Sequence, residues 1–339
     1  MEPLAIYRKL IELSDAGVPF ALALVLGTHG STPQQPGAKA LIEGTGRIWG
    51  TVGGGQVEAE ARRLAIEACR SQRAVVFDFY ASNDDAQRSG AICGGTMRIL
   101  VDPTARKHRA CYVQAVEALE RRERGALTIT IRGPEVGVEW QVGPACRAGP
   151  GDNFPGTETA PQEGPARQAG PTEVYFDPVV PPPLLVIAGG GHVGQAVARQ
   201  AVEVGFDVRV IDDRPEFAAP ALFPQGVVTR CGPIAVELAS CPMGPDTYFV
   251  IVTRGHQQDA EALAACIRQP AQYIGMIGSR RKVALIRESF MAKGLATAEQ
   301  FDRVFAPIGL DIGAVTVPEI ATSIVAQLIS VRRRARRGS

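Results

Sequence analysis

Residues 184–194 decide the fold of the second half of this chain, and they read Leu-Leu-Val-Ile-Ala-Gly-Gly-Gly-His-Val-Gly. The five apolar residues predict a buried strand, and Gly189, Gly191 and Gly194 follow the pattern G-x-G-x-x-G at the start of a helix. In such a turn the first glycine allows the tight bend, the second lets a pyrophosphate approach the backbone, and the third lets helix and strand pack closely. The stretch predicts a turn that can hold a phosphate-bearing ligand.

The chain after this turn alternates short apolar segments with helical patterns, which predicts a parallel sheet covered by helices on both faces. Asp212 ends the next strand, eighteen residues after Gly194, where a carboxylate can accept a hydrogen bond from a ribose hydroxyl. The predicted strands are 184–188, 208–211, 226–229, 248–253 and 273–277, with helices from Gly191, over 259–267 and over 317–334.

Further polar motifs follow the strands of this sheet. Ligands of open α/β sheets bind at the carboxyl ends of strands, so side chains that follow a strand are candidates for the site. Ser279 also fits a helix N-cap, and Asp311 lies on a glycine-flanked turn. The candidate binding residues of this half, besides the three glycines and Asp212, are His192, Arg254, His256, Ser279, Arg280 and Asp311.

The first half of the chain has a mixed pattern that predicts an α+β domain. Helical spacing occurs over 4–13, 56–70 and 111–122, and strand-like segments over 20–26, 39–42, 47–52, 75–79, 97–101, 127–131 and 136–142. Three glycine-rich motifs of this half could expose backbone donors or a thiol to a ligand. Its candidate binding residues are Ser31, Lys39, Gly54, Gly55, Cys93 and Gly94.

A segment rich in proline and glycine divides the chain. Residues 143–172 hold six Gly and six Pro, with Phe154 as their only large apolar residue, so they predict a linker or mobile loop. Residues 173–183 then read as a strand and a hinge that ends at three prolines. The expected organisation is an α+β domain over 1–142, the linker, this hinge, and a doubly wound domain over 184–335.

Composition excludes several classes of protein. The 339 residues suffice for two domains, and the formal net charge of +1 offers no overall field that would attract nucleic acid or an anionic membrane. The chain begins without a signal-peptide pattern and has no apolar run of about 18 residues, so we expect a cytoplasmic protein without membrane spans. Seven scattered cysteines without a C-x-x-C pair favour reduced thiols.

Taken together, these motifs resemble the xanthine dehydrogenase accessory protein family, XdhC/CoxI. The resemblance is carried by 30–33, 36–39, 53–55 with Glu58, 93–95, 189–194, 212–214, 253–256, 277–280 and 309–314. It implies a Rossmann-like second domain and a chaperone, rather than an enzyme, that binds the molybdenum cofactor as molybdopterin or its cytosine dinucleotide. It also implies an apo xanthine dehydrogenase-like client, a cysteine desulfurase that sulfurates the cofactor, a cofactor cytidylyltransferase as a further partner, and a homodimer.

The family resemblance and the residue patterns both predict a phosphate-bearing ligand. We expect the second domain to hold the phosphate end of the cofactor and Cys93 to lie near the molybdenum, because a soft thiolate suits that metal. Two alternatives stay open. The glycine turn and Asp212 also fit an NAD(P)-dependent oxidoreductase, in which His192 or His256 would act as acid or base, and they fit a dinucleotide-sensing module without catalysis.

Overall fold

The computed structural model describes residues 3–80, 95–143 and 172–337. The chain divides between Pro181 and Pro182 into two compact units. The predicted fold class is confirmed: the second unit contains a parallel sheet of the doubly wound type, and the sheets of the first unit are antiparallel. No helix in the described part of the chain is long and apolar enough to span a membrane.

A five-stranded antiparallel sheet forms the centre of the first unit, in the order β3-β2-β1-β5-β4. Strand β1 carries Ala21, Ala23 and Val25 on one face and Phe20, Leu22 and Leu24 on the other, and both faces are buried. Because both sides are covered by helices, β1 reads as a continuous apolar run. The elements are α1 (Pro3–Asp15), β1 (Phe20–His29), β2 (Lys39–Glu43), β3 (Ile48–Gly50), α2 (Gly55–Ser71), β4 (Val75–Tyr80) and β5 (Thr96–Asp102).

A second sheet of three strands completes this unit. It consists of β6 (Gly125–Arg132), β7 (Glu135–Val142) and β8 (Thr172–Val179), in the order β7-β6-β8, after the helix α3 (Arg109–Glu120). Both outer strands run antiparallel to β6. Apolar side chains of β6 share a core with α1 and α3.

The segment predicted as a linker joins two strands of this one sheet. Val142 pairs with Gly125, whereas Thr172 pairs with Arg132 at the opposite end of β6. Residues 143–171 must therefore connect points about 25 Å apart, given about 3.4 Å per residue along β6 and two strand spacings across it. A tight turn cannot make that connection, because an extended chain needs about eight residues for it.

The second unit is built on a six-stranded parallel sheet in the order β11-β10-β9-β12-β13-β14. Numbered within the unit this is 3-2-1-4-5-6, the strand order of a dinucleotide-binding doubly wound sheet. Its strands are β9 (Leu184–Ala188), β10 (Asp207–Asp212), β11 (Val228–Cys231), β12 (Thr247–Ile251), β13 (Tyr273–Met276) and β14 (Val304–Phe305).

Helices cover both faces of this sheet. On one face α4 (His192–Glu203) and α9 (Val317–Arg337) pack against alternate residues such as Leu185 and Val250. On the other face Val186 and Phe249 contact a second group of helices. These are α5 (Ile234–Ala239), α6 (His256–Cys266), α7 (Arg280–Ala292) and α8 (Ala298–Asp302).

The observed boundaries differ from the sequence predictions at several elements. The strand expected over 226–229 spans Val228–Cys231, and the one expected to reach Thr253 ends at Ile251 because Thr253 turns out of the sheet to bond Asp259. The helix expected from Asp259 begins at His256, directly after Gly255 with a positive φ of 93°. The short elements α5, α8 and β14 were not predicted, since they span too few residues to show a period.

Candidate functional site

The carboxyl edge of the parallel sheet contains a crevice between β9 and β12. The connection after β9 passes through α4 to one face of the sheet, and the connection after β12 passes through α6 to the other. Where neighbouring strands lead to opposite faces, their loops separate and leave room for a ligand. The glycine turn borders this crevice on one side, and residues 253–256 border it on the other.

The three glycines of the turn have different surroundings. A side chain on Gly189 would place Cβ 2.5 Å from the Val252 carbonyl oxygen, and one on Gly194 would overlap the carbonyl oxygen of Gly189. Nothing lies within 4 Å of the corresponding position at Gly191. Gly189 and Gly194 are thus required by packing, and Gly191 keeps the backbone at the start of α4 open to a ligand.

Both carboxylate oxygens of Asp212 already accept hydrogen bonds from other groups of the protein. Its Oδ1 accepts hydrogen bonds from the amide and Nε of Arg214, and its Oδ2 accepts from the Gly190 amide at 2.8 Å and from Arg214 Nη2. Burial by itself would raise the pKa of Asp212, but the bonds from Arg214 and the two amides outweigh it, so the pKa lies below its ordinary value. A ribose hydroxyl could reach this carboxylate only by displacing Arg214, which is also stacked on Phe217.

The neighbouring Asp213 links the loops on the two sides of the glycine turn. Its Oδ2 accepts a hydrogen bond from Gln258 Nε2 at 2.9 Å and lies 4.0 Å from Arg254 Nη2. The Arg254 side chain is 62% exposed. A ligand anion in the crevice can therefore compete with Asp213 for this guanidinium, because an exposed pair at that distance is weak.

A buried carboxylate joins the loops after β12 and β13. Asp259 has no exposed surface; its Oδ1 accepts from the amide and hydroxyl of Thr253, and its Oδ2 accepts from Lys282 Nζ. Of the three cations that follow Ser279, Lys282 is thereby committed to the protein. Arg280 and Arg281 remain exposed at the start of α7, and Ser279 caps that helix by accepting from the Lys282 amide.

The remaining predicted residues of this unit are exposed. His192 is the first residue of α4 and His256 the first of α6, so both side chains lie at helix starts beside the crevice. Asp311 lies on the loop after β14. That loop is held at its base by Gln327, which bonds both the amide and the carbonyl of Gly309.

Three motifs of the first unit converge on one loop. A side chain on Gly53 would place Cβ 2.9 Å from Pro33 Cγ, and one on Gly95 would overlap the carbonyl oxygen of Ser31. The segment 29–33, with Ser31 exposed, thus lies against both the glycine triplet and the end of the 93–95 motif. Gly54 and Gly55 have positive φ and open surroundings, and Glu58 accepts a bond from Thr51 in the first turn of α2.

Lys39, unlike the exposed candidates, is buried in an internal ion pair. Its Nζ bonds Asp177 Oδ1 at 2.8 Å, and only 6% of its side chain is exposed. Tyr7 donates to the other carboxylate oxygen, Oδ2. The ammonium is therefore unavailable to a ligand unless this internal pair breaks.

Cys93 and Gly94 lie outside the described residues, so the expected metal contact stays a prediction. In ranges 3–80, 95–143 and 172–337, no three His, Cys, Asp or Glu side chains are grouped to hold a metal ion. The cysteines described there are free thiols, namely Cys69, Cys111, Cys231, Cys241 and Cys266. Burial raises the pKa of the Cys266 thiol to about 12, so it is an unreactive core residue.

The sequence did not reveal which predicted site residues form ion pairs within the protein. Arg214 pairs with Asp212, Asp177 with Lys39, and Asp259 with Lys282, and the last two pairs join separate elements. Arg214 alone carried a usable signal, since it follows Asp212 by two residues. The other pairings depend on the three-dimensional arrangement of strands.

A parallel sheet in this order, with the glycine turn at the point where the connections diverge, defines a Rossmann-type domain. The XdhC Rossmann domain matches residues 185–328, and the XdhC and CoxI family matches residues 13–79. The chain belongs to the XdhC and CoxI family, which confirms the resemblance stated from the motifs.

Individual relatives agree with this assignment. The chain is 27% identical over 97% of its length to the protein YqeB of Escherichia coli, although it spans only 47% of that longer protein. It is 25% identical to a Bacillus subtilis protein named as a probable xanthine dehydrogenase subunit, with 92% of this chain and 93% of the relative covered. A crystal structure of a xanthine dehydrogenase from Bacillus halodurans has the same fold, with a TM-score of 0.76, 21% identity and coverage of 98% and 96%.

Proposed function

We propose that this protein is a chaperone that binds the molybdenum cofactor and helps to mature a xanthine dehydrogenase-like molybdenum enzyme. Family membership supports a role in xanthine dehydrogenase maturation, because the Bacillus subtilis relative is named as a probable subunit of that enzyme. The observation that supports cofactor binding is the open backbone at Gly191. Among the described residues, no side chain covers this helix start, so a phosphate can reach its amides.

The residues present fit the phosphate of such a cofactor. The amides at the start of α4 can donate to phosphate oxygens, and the exposed Arg254 and Arg280 add positive charge at neighbouring loops. When bound, the cofactor supplies a molybdenum whose oxo ligand can be exchanged for sulfur. The chain's own task is to hold the phosphate, and we propose Cys93 as the thiolate that contacts the metal.

The occupied state of Asp212 supports a pterin phosphate over NAD(P). In dinucleotide enzymes the carboxylate at this position accepts from the ribose hydroxyls, but here Arg214 already satisfies both of its oxygens. We further propose a cysteine desulfurase and a cofactor cytidylyltransferase as partners, a homodimer as the working form, and the cytoplasm as its location.

Retained pterin tests the proposal. The protein purified from cells that make the cofactor should release a pterin that fluoresces after oxidation, and Arg280→Ala and Cys93→Ala should each retain several-fold less of it. Arg287→Ala is the control for the arginine, because Arg287 lies on the same helix but pairs with Asp302, and Cys111→Ala is the control for the thiol.

Two outcomes would contradict the assignment. Folded Arg280→Ala and Cys93→Ala proteins that retain as much pterin as the parent would remove these residues from the site. Tight NADH binding in equilibrium dialysis, without binding of released pterin, would favour an oxidoreductase or a dinucleotide-sensing module.

A further inference from the structure

A second cavity of about 780 Å³ lies between helices α6 and α7, on one face of the parallel sheet. Helix α6 packs closely against α5, whereas α6 and α7 are set apart over the sheet and leave a groove between them. The groove begins beside His256 and Ser279 at the carboxyl edge of the sheet and ends near Lys293 and Leu295.

The walls of this groove are apolar along their middle. Helix α6 contributes Ala260 and Ala264, one turn apart, whose small side chains allow a backbone to approach closely. Helix α7 contributes Leu285, Ile286 and Phe290. Leu285 is 60% exposed although it lies in the middle of the helix, so this wall has apolar surface that its own unit leaves uncovered.

The two ends of the groove are positively charged. Arg281 and Lys293 line it at opposite ends of α7, about 18 Å apart at 1.5 Å per residue. Lys282 also lines it but pairs with Asp259, and Glu261 is the acidic side chain among the lining residues. The charge of the lining therefore complements an acidic occupant.

We propose that this groove binds an amphipathic helix of a partner protein, with acidic residues near both ends of its apolar face. An open trough with an exposed leucine and cations three turns apart suits a helix of about twelve residues, which would lay apolar anchors between the two walls. The inference rests on the proposed function to the extent that the client molybdenum enzyme is the expected source of the helix. The apolar surface and the charges are properties of the groove itself.

Designed peptides test the proposal on the full-length protein. The first probe is a labelled helical peptide of about 16 residues with Leu and Ala at helical spacing and Glu at both ends, and the second has Lys in place of each Glu. In fluorescence anisotropy the acidic peptide should bind at least about tenfold more tightly than the basic one. Leu285→Glu and the double variant Arg281→Glu, Lys293→Glu should each weaken acidic-peptide binding by a similar factor.

Val236→Glu is the matched control, because Val236 is 64% exposed on α5 and does not line the groove. Equal binding of both peptides, or equal losses in Leu285→Glu and Val236→Glu, would overturn the proposal. Binding that appears only after residues 144–171 are replaced by a Gly/Ser linker of about 12 residues, long enough to join β7 to β8, would do so too, because this chain's own segment would then be the occupant.

The pterin measurement separates this inference from the proposed function. Leu285→Glu should keep the parental amount of pterin while it loses the acidic peptide, and Arg280→Ala should lose pterin while it keeps the peptide. If only Leu285→Glu departs from its expected result, the groove proposal is contradicted. If only Arg280→Ala departs from its expected result, the cofactor site is contradicted.

Discussion

Gly191 and Gly194 lie three residues apart in one turn, yet a methyl group would meet different surroundings at each. At Gly194 it would overlap the Gly189 carbonyl, and at Gly191 it would enter open space from a φ of −68° that any residue adopts. Stability and ligand binding can therefore be separated within a single motif.

We expect Gly194→Ala to destabilise the second unit by about 1–3 kcal/mol, because the added methyl group overpacks the contact between helix and strand. Gly191→Ala should leave the free energy of unfolding within about 0.5 kcal/mol of the parent while it lowers retained pterin. Chemical denaturation and pterin fluorescence measure the two effects. A Gly191→Ala protein with undiminished pterin would contradict the role given to its open backbone.

Asp212 predicts a pH dependence of stability. Its pKa in the folded protein lies below the ordinary value of about 3.9, so the stabilisation is fully present above that value and is lost as the pH falls through the folded pKa. Asp212→Asn should cost about 2 kcal/mol of unfolding free energy at pH 7, since a buried bond to a charged group is lost. The difference between parent and variant should shrink below about pH 4 in denaturant titrations. A difference that stays constant with pH would exclude the Arg214 pair as its cause.

The residues that could be predicted from sequence are those whose role depends on local geometry. The close contacts at Gly189 and Gly194 follow from their spacing within one turn and are seen in the structure, whereas the role of Gly191 towards a ligand stays a prediction. The commitment of Lys282 to Asp259 and of Lys39 to Asp177 could not be predicted, because residues 23 and 138 positions apart meet only after the fold forms.

At the scale of elements, the Lys39–Asp177 pair fastens the two sheets of the first unit together. Lys39 lies at the start of β2 and Asp177 near the end of β8, and Tyr7 of α1 donates to the same carboxylate. All three side chains are nearly or fully buried. Breaking the pair would leave one charge without its partner in the core.

Lys39→Met should therefore lower the free energy of unfolding by about 3–5 kcal/mol. The double variant Lys39→Met, Asp177→Asn should recover most of the loss, because it removes the unpaired charge and keeps an oxygen that accepts from Tyr7. Arg8→Met is the control: its pair with Glu120 is exposed and should contribute less than about 1 kcal/mol. A double variant no more stable than Lys39→Met would show that packing, and not charge, sets the cost.

Elements that bury a regular face were predictable, whereas the shortest helices and the two-residue strand β14 were not. The buried run of β1 and the amphipathic pattern of α2 are strong signals because both bury a regular face. The pairing of β8 with β6 lay beyond sequence reasoning, since 29 residues separate β7 from β8 and nothing local indicates which strand β8 joins.

At the scale of the whole molecule, each of the four apolar cores formed by the described residues belongs to one unit. Two cores lie before Pro181 and two lie after it. A unit that buries its own core can fold alone. The division of the chain therefore predicts that each unit unfolds cooperatively by itself.

We expect the two units to unfold in separate transitions. Both tryptophans, Trp49 and Trp140, lie in the first unit, so their fluorescence reports that unit alone, whereas far-ultraviolet circular dichroism reports helices of both. The two signals should give different midpoints in urea, and fragments 3–181 and 182–337 should each show one of them. Coincident transitions in the intact chain, with unfolded fragments, would contradict this.

Lys282 belongs to two places at once, since it lines the groove between α6 and α7 and also holds the buried Asp259 beside Thr253. A carboxylate without exposed surface must always keep a partner. A partner helix in the groove that pulled Lys282 away from Asp259 would disturb Thr253 at the sheet edge. Because coupling between two sites is reciprocal, a ligand in the crevice would then change the affinity of the groove for the partner helix. For the proposed cofactor carrier, we therefore expect binding of the partner helix to change the rate at which the cofactor is released.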